Sequence, residues 1–369
     1  MRIELPISKS IANRLLILQA IHGDELMPVS ATFPDDVLLL HRALTNLKTS
    51  ETPSTPRIDV GNCGTAMRFL TAYCAQLEGQ TTILDGVERM HHRPIGQLVD
   101  ALREIGADIE YLGEEGFPPL RINGCVLDKH RIVRIDNPLS TQFISALLLI
   151  GANVQTNSTS PYIYITQEVI KQYQFSHFSF HISVEKDWSS AAFWYEHVAL
   201  HGGEITLPGL SRDSLQGDKV VADIFTHLGV QTQYTTEGVT IISTGVADLQ
   251  RSDLQGIVAR STAQRSAEET ILNSKFLIQN FSACPDLYPV VALTCERLGI
   301  ELHATGVESL PLKESDRLRA VREHRTDADH RMAMAWLIAG YEVNDTACIS
   351  KSYPQFLEQF HRINTLKLQ

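Results

Sequence analysis

The chain has 369 residues, is 43% hydrophobic and carries a formal net charge of -11, so it is long enough for two domains or one large one with a sizeable core. That acidic balance excludes a nucleic-acid protein built on a basic stripe, although a few Arg and Lys gathered in one cleft could still dominate the local field and receive small anions. The six cysteines (Cys63, Cys74, Cys125, Cys284, Cys295 and Cys348) are scattered without a C-x-x-C pair, which argues against zinc and a disulfide framework and for reduced cytosolic thiols.

At the N-terminus, Met1 to Ser10 has no apolar signal core, and the run Leu15-Leu16-Ile17-Leu18 is too short to span a bilayer. A cytoplasmic protein is expected, unless a targeting segment preceded this sequence. Pro6-Ile7-Ser8-Lys9-Ser10-Ile11-Ala12-Asn13-Arg14 leads into that apolar run. Ser8 or Ser10 can cap a helix, with Lys9 beside its free N–H groups and Arg14 on the face of Ser10. Such a start suits an anion, but taken alone it reads better as a capped surface helix. Thr49 to Pro56 is a turn-rich loop. Gly61-Asn62-Cys63-Gly64-Thr65-Ala66-Met67-Arg68 repeats the design ahead of an apolar helix from Phe69. Its two glycines let backbone N–H groups approach a ligand, and Arg68 is expected in the first turn. A plain glycine-rich turn explains it about as well.

Arg89-Met90-His91-His92-Arg93-Pro94-Ile95-Gly96 places Pro94 at a helix start and Arg93 at its edge. Adjacent His91 and His92 read as surface residues, because no further metal ligand follows at helical spacing. Ser140-Thr141-Gln142 gives a hydroxyl-rich helix start before Phe143 to Ile150, able to hold phosphate oxygens without adding charge. A Gly closes a helix before a strand at Gly106, Gly229 and Gly299. Helix and strand signals therefore alternate throughout, as in an α/β or α+β protein of repeated units. No G-x-G-x-x-G follows a strand. Gln250 to Asn273 is polar and poorly periodic, a surface insertion or mobile loop.

Near the C-terminus, Lys313-Glu314-Ser315-Asp316-Arg317 and Asp329-His330-Arg331 each set fixed positive charge beside a group able to carry a proton. Both read as helix starts, with Glu314 and Arg317, and Lys313 and Arg317, sharing a face. Glu314 should stay ionised unless burial raises its pKa. Ser350-Lys351-Ser352-Tyr353-Pro354 reads as one more start. Six basic, hydroxyl- or Gly-rich helix starts in an acidic protein are hard to explain as solvated faces.

Taken in order, these stretches resemble the 5-enolpyruvylshikimate-3-phosphate synthase family (3-phosphoshikimate 1-carboxyvinyltransferases) over nearly the whole chain. Pro161-Tyr162-Ile163, Gln216-Gly217-Asp218 and Pro285-Asp286 belong to the same set. The short link at Thr49 to Arg57 and Asp187-Trp188-Ser189-Ser190 resemble the Bacteroidetes branch. The resemblance implies an α/β fold, a two-domain inside-out α/β barrel in which each domain is a threefold repeat of helix–strand units. It would divide the chain into 8–184, and 1–7 plus 185–369, closing over the substrates.

The reaction so implied moves the enolpyruvyl group of phosphoenolpyruvate to the 5-hydroxyl of shikimate 3-phosphate and releases phosphate. By the same resemblance Ser10, Arg14, Ser140, Thr141 and Tyr162 would hold shikimate 3-phosphate, with Gln142 between the substrates. Lys9, Asn62, Gly64, Arg93, Arg317, Arg331 and Lys351 would hold phosphoenolpyruvate, and Thr65, Ser309 and Lys313 complete the binding set. Asp286 would take the hydroxyl proton; Glu314, aided by Lys9 and supported by His330, would protonate the methylene carbon. No metal or organic cofactor is called for, no nucleic acid or membrane partner, and a monomer is expected. A sister chemistry on a UDP-sugar would want a catalytic cysteine on a mobile loop, and none of the six has that context. The chain departs from the family at Thr141, usually Ser, and in a first strand nearly absent before Leu5. Arg317 to Asp329 is also too short for the usual helix end and β-hairpin. That shortening motivates a second expectation, a degenerate paralogue that binds phosphorylated shikimate-like anions without turnover.

Overall fold

The computed structural model describes residues 1–49, 55–176, 184–245 and 276–366. The loop expected at Thr49 to Pro56 lies mostly outside the described residues, and Gln250 to Asn273 lies wholly outside them.

Apolar runs with no polar face demand burial on every side, and this decides the architecture. In the first half the elements are α1 (Lys9–His22), α2 (Asp35–Thr49), β1 (Arg57–Asp59), α3 (Gly64–Ala75) and β2 (Thr81–Asp85). They continue with α4 (Glu88–His91), α5 (Gly96–Glu104), β3 (Asp108–Tyr111), β4 (Leu120–Asn123), β5 (Ile132–Arg134), α6 (Thr141–Leu149), β6 (Asn153–Gln155) and α7 (Pro161–Ser176). Eleven of the twelve residues of α3 are buried, whereas β1 and β6 expose both end residues. Helices α1, α3 and α6 touch one another, so helices form the centre and strands the outside. The strands make a mixed sheet ordered β1-β2-β4-β3 and a parallel pair β5-β6.

The second half repeats the plan. It contains α8 (Trp188–His201), β7 (Glu204–Pro208), α9 (Val221–Thr226), β8 (Val230–Tyr234), β9 (Gly238–Ser243), β10 (Phe276–Asn280), α10 (Tyr288–Leu298) and β11 (Glu301–Thr305). Then follow α11 (Arg317–Arg322), α12 (His330–Ile338) and α13 (Phe356–Leu366). Helices α8, α10 and α12 contact one another, with Trp188, Ala191, Phe193, Trp194 and Tyr195 of α8 fully buried. The sheets are antiparallel β7-β9-β8 and parallel β10-β11. Among the described residues no helix is long and apolar enough to cross a membrane.

Buried apolar side chains fall into two clusters, one from Ile11 to Tyr173 and one joining Ile3 and Leu5 to Trp188 through Ile363. The linking segments run side by side: Ser8 N–H donates to the Glu185 carbonyl at 2.7 Å and Asp187 N–H to the Pro6 carbonyl at 3.0 Å. Met1 to Leu5 lies along β7 through one bridge, Arg2 to Thr206, which is the reduced first strand the sequence indicates.

The shortened stretch after α11 is closed by a tight reversal. His324, Asp327 and Ala328 take positive φ of 54°, 48° and 54°, a conformation costing roughly 1–3 kcal/mol each for residues with a Cβ. Asp329 then caps α12 by accepting from Arg331 N–H at 3.0 Å. The Lys313–Arg317 helix start moves: Lys313 is extended and α11 begins only at Arg317, with Asp316 as its cap. Ser350 and Lys351 end a 3-10 turn, Ala347–Lys351, and start no helix. Ser8 occupies its cap position without a side-chain cap bond, and Arg68 falls in the second turn of α3.

One close approach fixes the back of the first sheet. A Cβ at Gly124 would overlap the carbonyl of Leu77, backbone that has no rotamer to relieve it. Gly124→Ala should therefore lose about 1–3 kcal/mol, read from the urea midpoint; an unchanged midpoint would contradict this packing.

Candidate active site

Five of the six buried helices begin at one cavity of about 690 Å3 between the halves. Lys9 and Ser10 of α1, Gly64 and Thr65 of α3, Thr141 and Gln142 of α6, Pro285 and Asp286 ahead of α10, and Arg331 of α12 all line it. Helix starts carry unpaired N–H groups and a partial positive charge, so their convergence makes an anion receptor before any side chain is counted. The caps that place them are Cys63, whose Sγ accepts from Ala66 N–H, and Ser140, whose hydroxyl accepts from Gln142 N–H. Gln142 in turn donates its side-chain amide to Thr65 at 2.9 Å, tying α6 to α3.

The wall from the first half is cationic. Arg14 is buried, yet it donates to neutral acceptors: Thr166 Oγ1 at 2.7 Å, the Ser10 carbonyl at 2.6 Å, Ser145 Oγ at 3.0 Å and the Tyr162 carbonyl at 3.1 Å. Burial lowers its pKa to about 10. Arg68 likewise donates to the carbonyls of Gly64 and Pro94, and burial followed by repulsion from Arg93 pulls its pKa well down. Among the described residues Arg93 bonds only the carbonyl and side-chain oxygens of Asn62, and its Nε has no partner there. Among the described residues none of these three has a carboxylate at ion-pair distance. Desolvated cations lacking counter-ions are costly, and bound anions would repay that cost. Lys9 differs, since its ammonium pairs with buried Asp36 at 2.9 Å.

The opposite wall gathers carboxylates on arginine. Arg317, whose side chain is 1% exposed, donates to Asp329 from Nε at 2.8 Å and Nη2 at 3.3 Å. It also reaches Asp286 from Nη1 at 2.8 Å and Glu314 from Nη2 at 3.2 Å. Four of its five N–H donors are thus engaged, leaving one for a ligand. Arg331 reaches the other oxygen of Asp286 at 2.9 Å, and Lys313 lies 3.4 Å from the first. Burial opposes ionisation of Asp286, but Arg331, Lys313 and Arg317 outweigh it and hold the carboxyl well below its usual range. For Glu314 burial is likewise outweighed by Lys351, Arg317 and Arg93. Tyr162 Oη donates to Asp286 at 3.4 Å across the cleft.

Lys9, Ser10, Arg14, Gly64, Thr65, Arg93, Ser140, Thr141, Gln142, Tyr162, Asp286, Ser309, Lys313, Glu314, Arg317 and Arg331 therefore share one cavity. Three expected residues do not line it. Asn62 and Lys351 face an adjoining cavity that shares only Glu314 with the first; there Lys351 pairs with Glu314 at 3.2 Å and donates to the Asn62 carbonyl at 2.7 Å. His330 is wholly buried, neither ring nitrogen has a hydrogen-bond partner among the described residues although Nδ1 lies 3.8 Å from Asp329, and burial followed by Lys9 and Arg331 holds it neutral. It stands behind the wall.

Sequence reasoning missed Asp36, whose only signal was an acidic first turn of α2, and Asp329, read as part of a motif without its tie to Arg317. Asp218 was likewise read only as part of Gln216-Gly217-Asp218, with no role given; it is buried, accepts from Ser189 Oγ and has one oxygen without a hydrogen-bond partner among the described residues. Burial and the charge of Asp286 push the Asp218 pKa up to about 7, against an unfolded value near ~4. The folded chain thus keeps a proton that the unfolded chain releases, and stability falls as pH rises from about 4 to about 7. Asp218→Asn removes that loss, so its stability relative to the parent should grow between pH 5 and pH 8. Equal differences in urea midpoint at both pH values would contradict the assignment.

Comparisons with known proteins point to one family. A family model described as EPSP synthase (3-phosphoshikimate 1-carboxyvinyltransferase) matches residues 1–324 and 322–360. A curated relative, the 3-phosphoshikimate 1-carboxyvinyltransferase of Bacteroides fragilis, is 34% identical over 98% of this chain and 94% of its own. That of Colwellia psychrerythraea is 29% identical over 98% and 96%. A solved structure of EPSP synthase from Acinetobacter baumannii superposes with a TM-score of 0.65 at 19% identity, across 98% of this chain and 95% of that one, and so shares the fold. With a family match running almost end to end and a relative 34% identical over nearly the whole chain, this chain belongs to the EPSP synthase family.

Proposed function

We propose that this protein transfers the enolpyruvyl group of phosphoenolpyruvate to the 5-hydroxyl of shikimate 3-phosphate and releases phosphate, a step of aromatic amino-acid biosynthesis. One observation carries the reading: the cleft opposes a wall of buried arginines lacking carboxylate partners to a wall where Asp286 and Glu314 are fixed on one guanidinium. Each substrate brings a carboxylate and a phosphate, so the first wall gathers them and the second moves protons.

Shikimate 3-phosphate would sit on Ser10, Arg14, Ser140, Thr141 and Tyr162. Phosphoenolpyruvate would bind between Lys9, Gly64, Arg93, Arg331 and the remaining N–H of Arg317, with Lys351 and Asn62 acting from the adjoining side. Glu314 is ionised in the free protein. Two polyanions entering beside it compete for Lys351 and Arg93, which raises its pKa and lets it take a proton. It then gives that proton to the methylene carbon, leaving an oxocarbenium-like centre. The 5-hydroxyl attacks this centre and passes its proton to Asp286, which the surrounding cations keep ionised. Phosphate leaves with its bonding pair, the new methyl group returns a proton to Glu314, and the enol ether is restored. His330, held neutral by burial, would support Glu314 through position rather than charge. None of these steps calls for a metal or organic cofactor.

The halves 8–184, and 1–7 plus 185–369, would close over the pair and exclude water. Every proposed contact comes from one chain, which supports a monomer. A net charge of -11 speaks against nucleic-acid and anionic membrane partners, and six free cysteines suit the cytoplasm. No observation favours a non-catalytic paralogue: the shortened segment keeps both helix starts in place through Arg317 and Asp329.

Phosphate release on mixing the two substrates tests the reading. The parent should turn over, and Glu314→Gln should lose about 10²–10⁴-fold in kcat. Folded parent that releases no phosphate, or a variant as fast as the parent, would overturn it.

A further inference from the structure

We propose that Arg89 is a positioning residue that couples closure of the two halves to the placement of Glu314. The inference rests on the reading above.

Arg89 lies in α4, in the first half. Its guanidinium donates across the cleft to three backbone carbonyls of the second: Glu314 at 3.2 Å from Nε, and Lys313 at 3.0 Å and Pro311 at 3.4 Å from Nη2. These carbonyls end the 3-10 turn Leu310–Leu312 and run along the extended peptide that carries Glu314. A basic side chain capping the last carbonyls of a helical turn is favourable electrostatics; here the cap comes from the other half. Among the described residues Arg89 has no carboxylate at ion-pair distance, so its charge is spent on that peptide.

The location matters as much as the bonds. Glu314 lines both the main cavity and the adjoining one of about 680 Å3, and Arg89 lines the adjoining one only. The peptide bearing Glu314 is thus a partition between two cavities, with substrate proposed on one side and Arg89 behind it. Arg317 and Lys351, which hold the Glu314 carboxylate, belong to the second half and travel with it. Arg89 does not. When the halves part, its three bonds break while the carboxylate contacts survive; when they meet, it sets the backbone of Glu314 against substrates bound to the first half. The residues proposed for shikimate 3-phosphate touch none of these carbonyls, so binding of that substrate alone is independent of the clamp.

The test uses Arg89→Met, which keeps length and removes the donors, and Arg89→Lys, which keeps the charge without the fork. Shikimate 3-phosphate affinity by calorimetry should stay within about twofold for both, whereas kcat of Arg89→Met should fall about 10²-fold, as displacement of a catalytic group by about 1 Å does. Arg89→Lys should recover only part of that loss. Small-angle scattering gives a readout that needs no turnover: the parent should contract when both substrates are added, and Arg89→Met should not. A methionine variant that contracts like the parent overturns the proposal, as does a parent that does not contract. So does a kcat within about twofold of the parent, or a loss of shikimate 3-phosphate affinity equal to the loss of kcat. A parent that contracts but releases no phosphate fails the functional reading instead.

Discussion

A single buried guanidinium organises the catalytic wall. Arg317 joins the carboxylate proposed as base, the carboxylate proposed as acid and the cap of α12. Ion pairs removed from water rarely add much net stability, but breaking one strands its partners at a cost of several kcal/mol. Arg317 therefore acts as a geometric lock: neither Asp286 nor Glu314 can move far without leaving a buried charge uncompensated. The same residue answers the shortening of the chain before α12. Its two bonds to Asp329 hold the end of a tight reversal whose three left-handed residues would otherwise favour a looser path.

Around that lock the charges are divided by half. The first half supplies Arg14, Arg68 and Arg93 with neutral partners, so a bound anion meets donors that are already desolvated and aimed. The second half surrounds Asp286, Glu314 and Asp329 with Arg317, Arg331, Lys313 and Lys351. Free carboxylates this well compensated stay ionised, and in the proposed mechanism anionic substrates competing for the same cations move a proton onto one of them. On that proposal, binding and proton transfer are linked through shared cations. Burying six helices and leaving strands outside follows from the same requirement, because it directs helix starts at the cleft.

Much of this was legible in the residues. Caps, Gly-rich turns and basic residues at helix spacing marked Lys9–Arg14, Gly61–Arg68 and Ser140–Gln142 as helix starts, since those signals are local. The alternation of helices and strands could be anticipated from Gly106, Gly229 and Gly299 set between helix and strand signals, whereas the two-half plan was implied only by the resemblance to the family. What stayed hidden is long-range. Nothing near Asp36 indicates Lys9 as its partner, and nothing in α4 indicates the carbonyls of Pro311, Lys313 and Glu314. Lys313 and Glu314 read as helical because of their spacing to Arg317, yet Asp316 caps the helix and excludes them. His330 carries a helix-start signature, but its burial behind the wall depends on packing that no local pattern records.

Turnover in deuterium oxide tests the central claim, that Glu314 carries a proton from solvent to the methylene carbon and back. The enol ether product of the parent should carry deuterium on its vinyl carbon, and Glu314→Gln should slow deuterium entry and product formation together. Product formed at full rate with no deuterium on that carbon would contradict the mechanism.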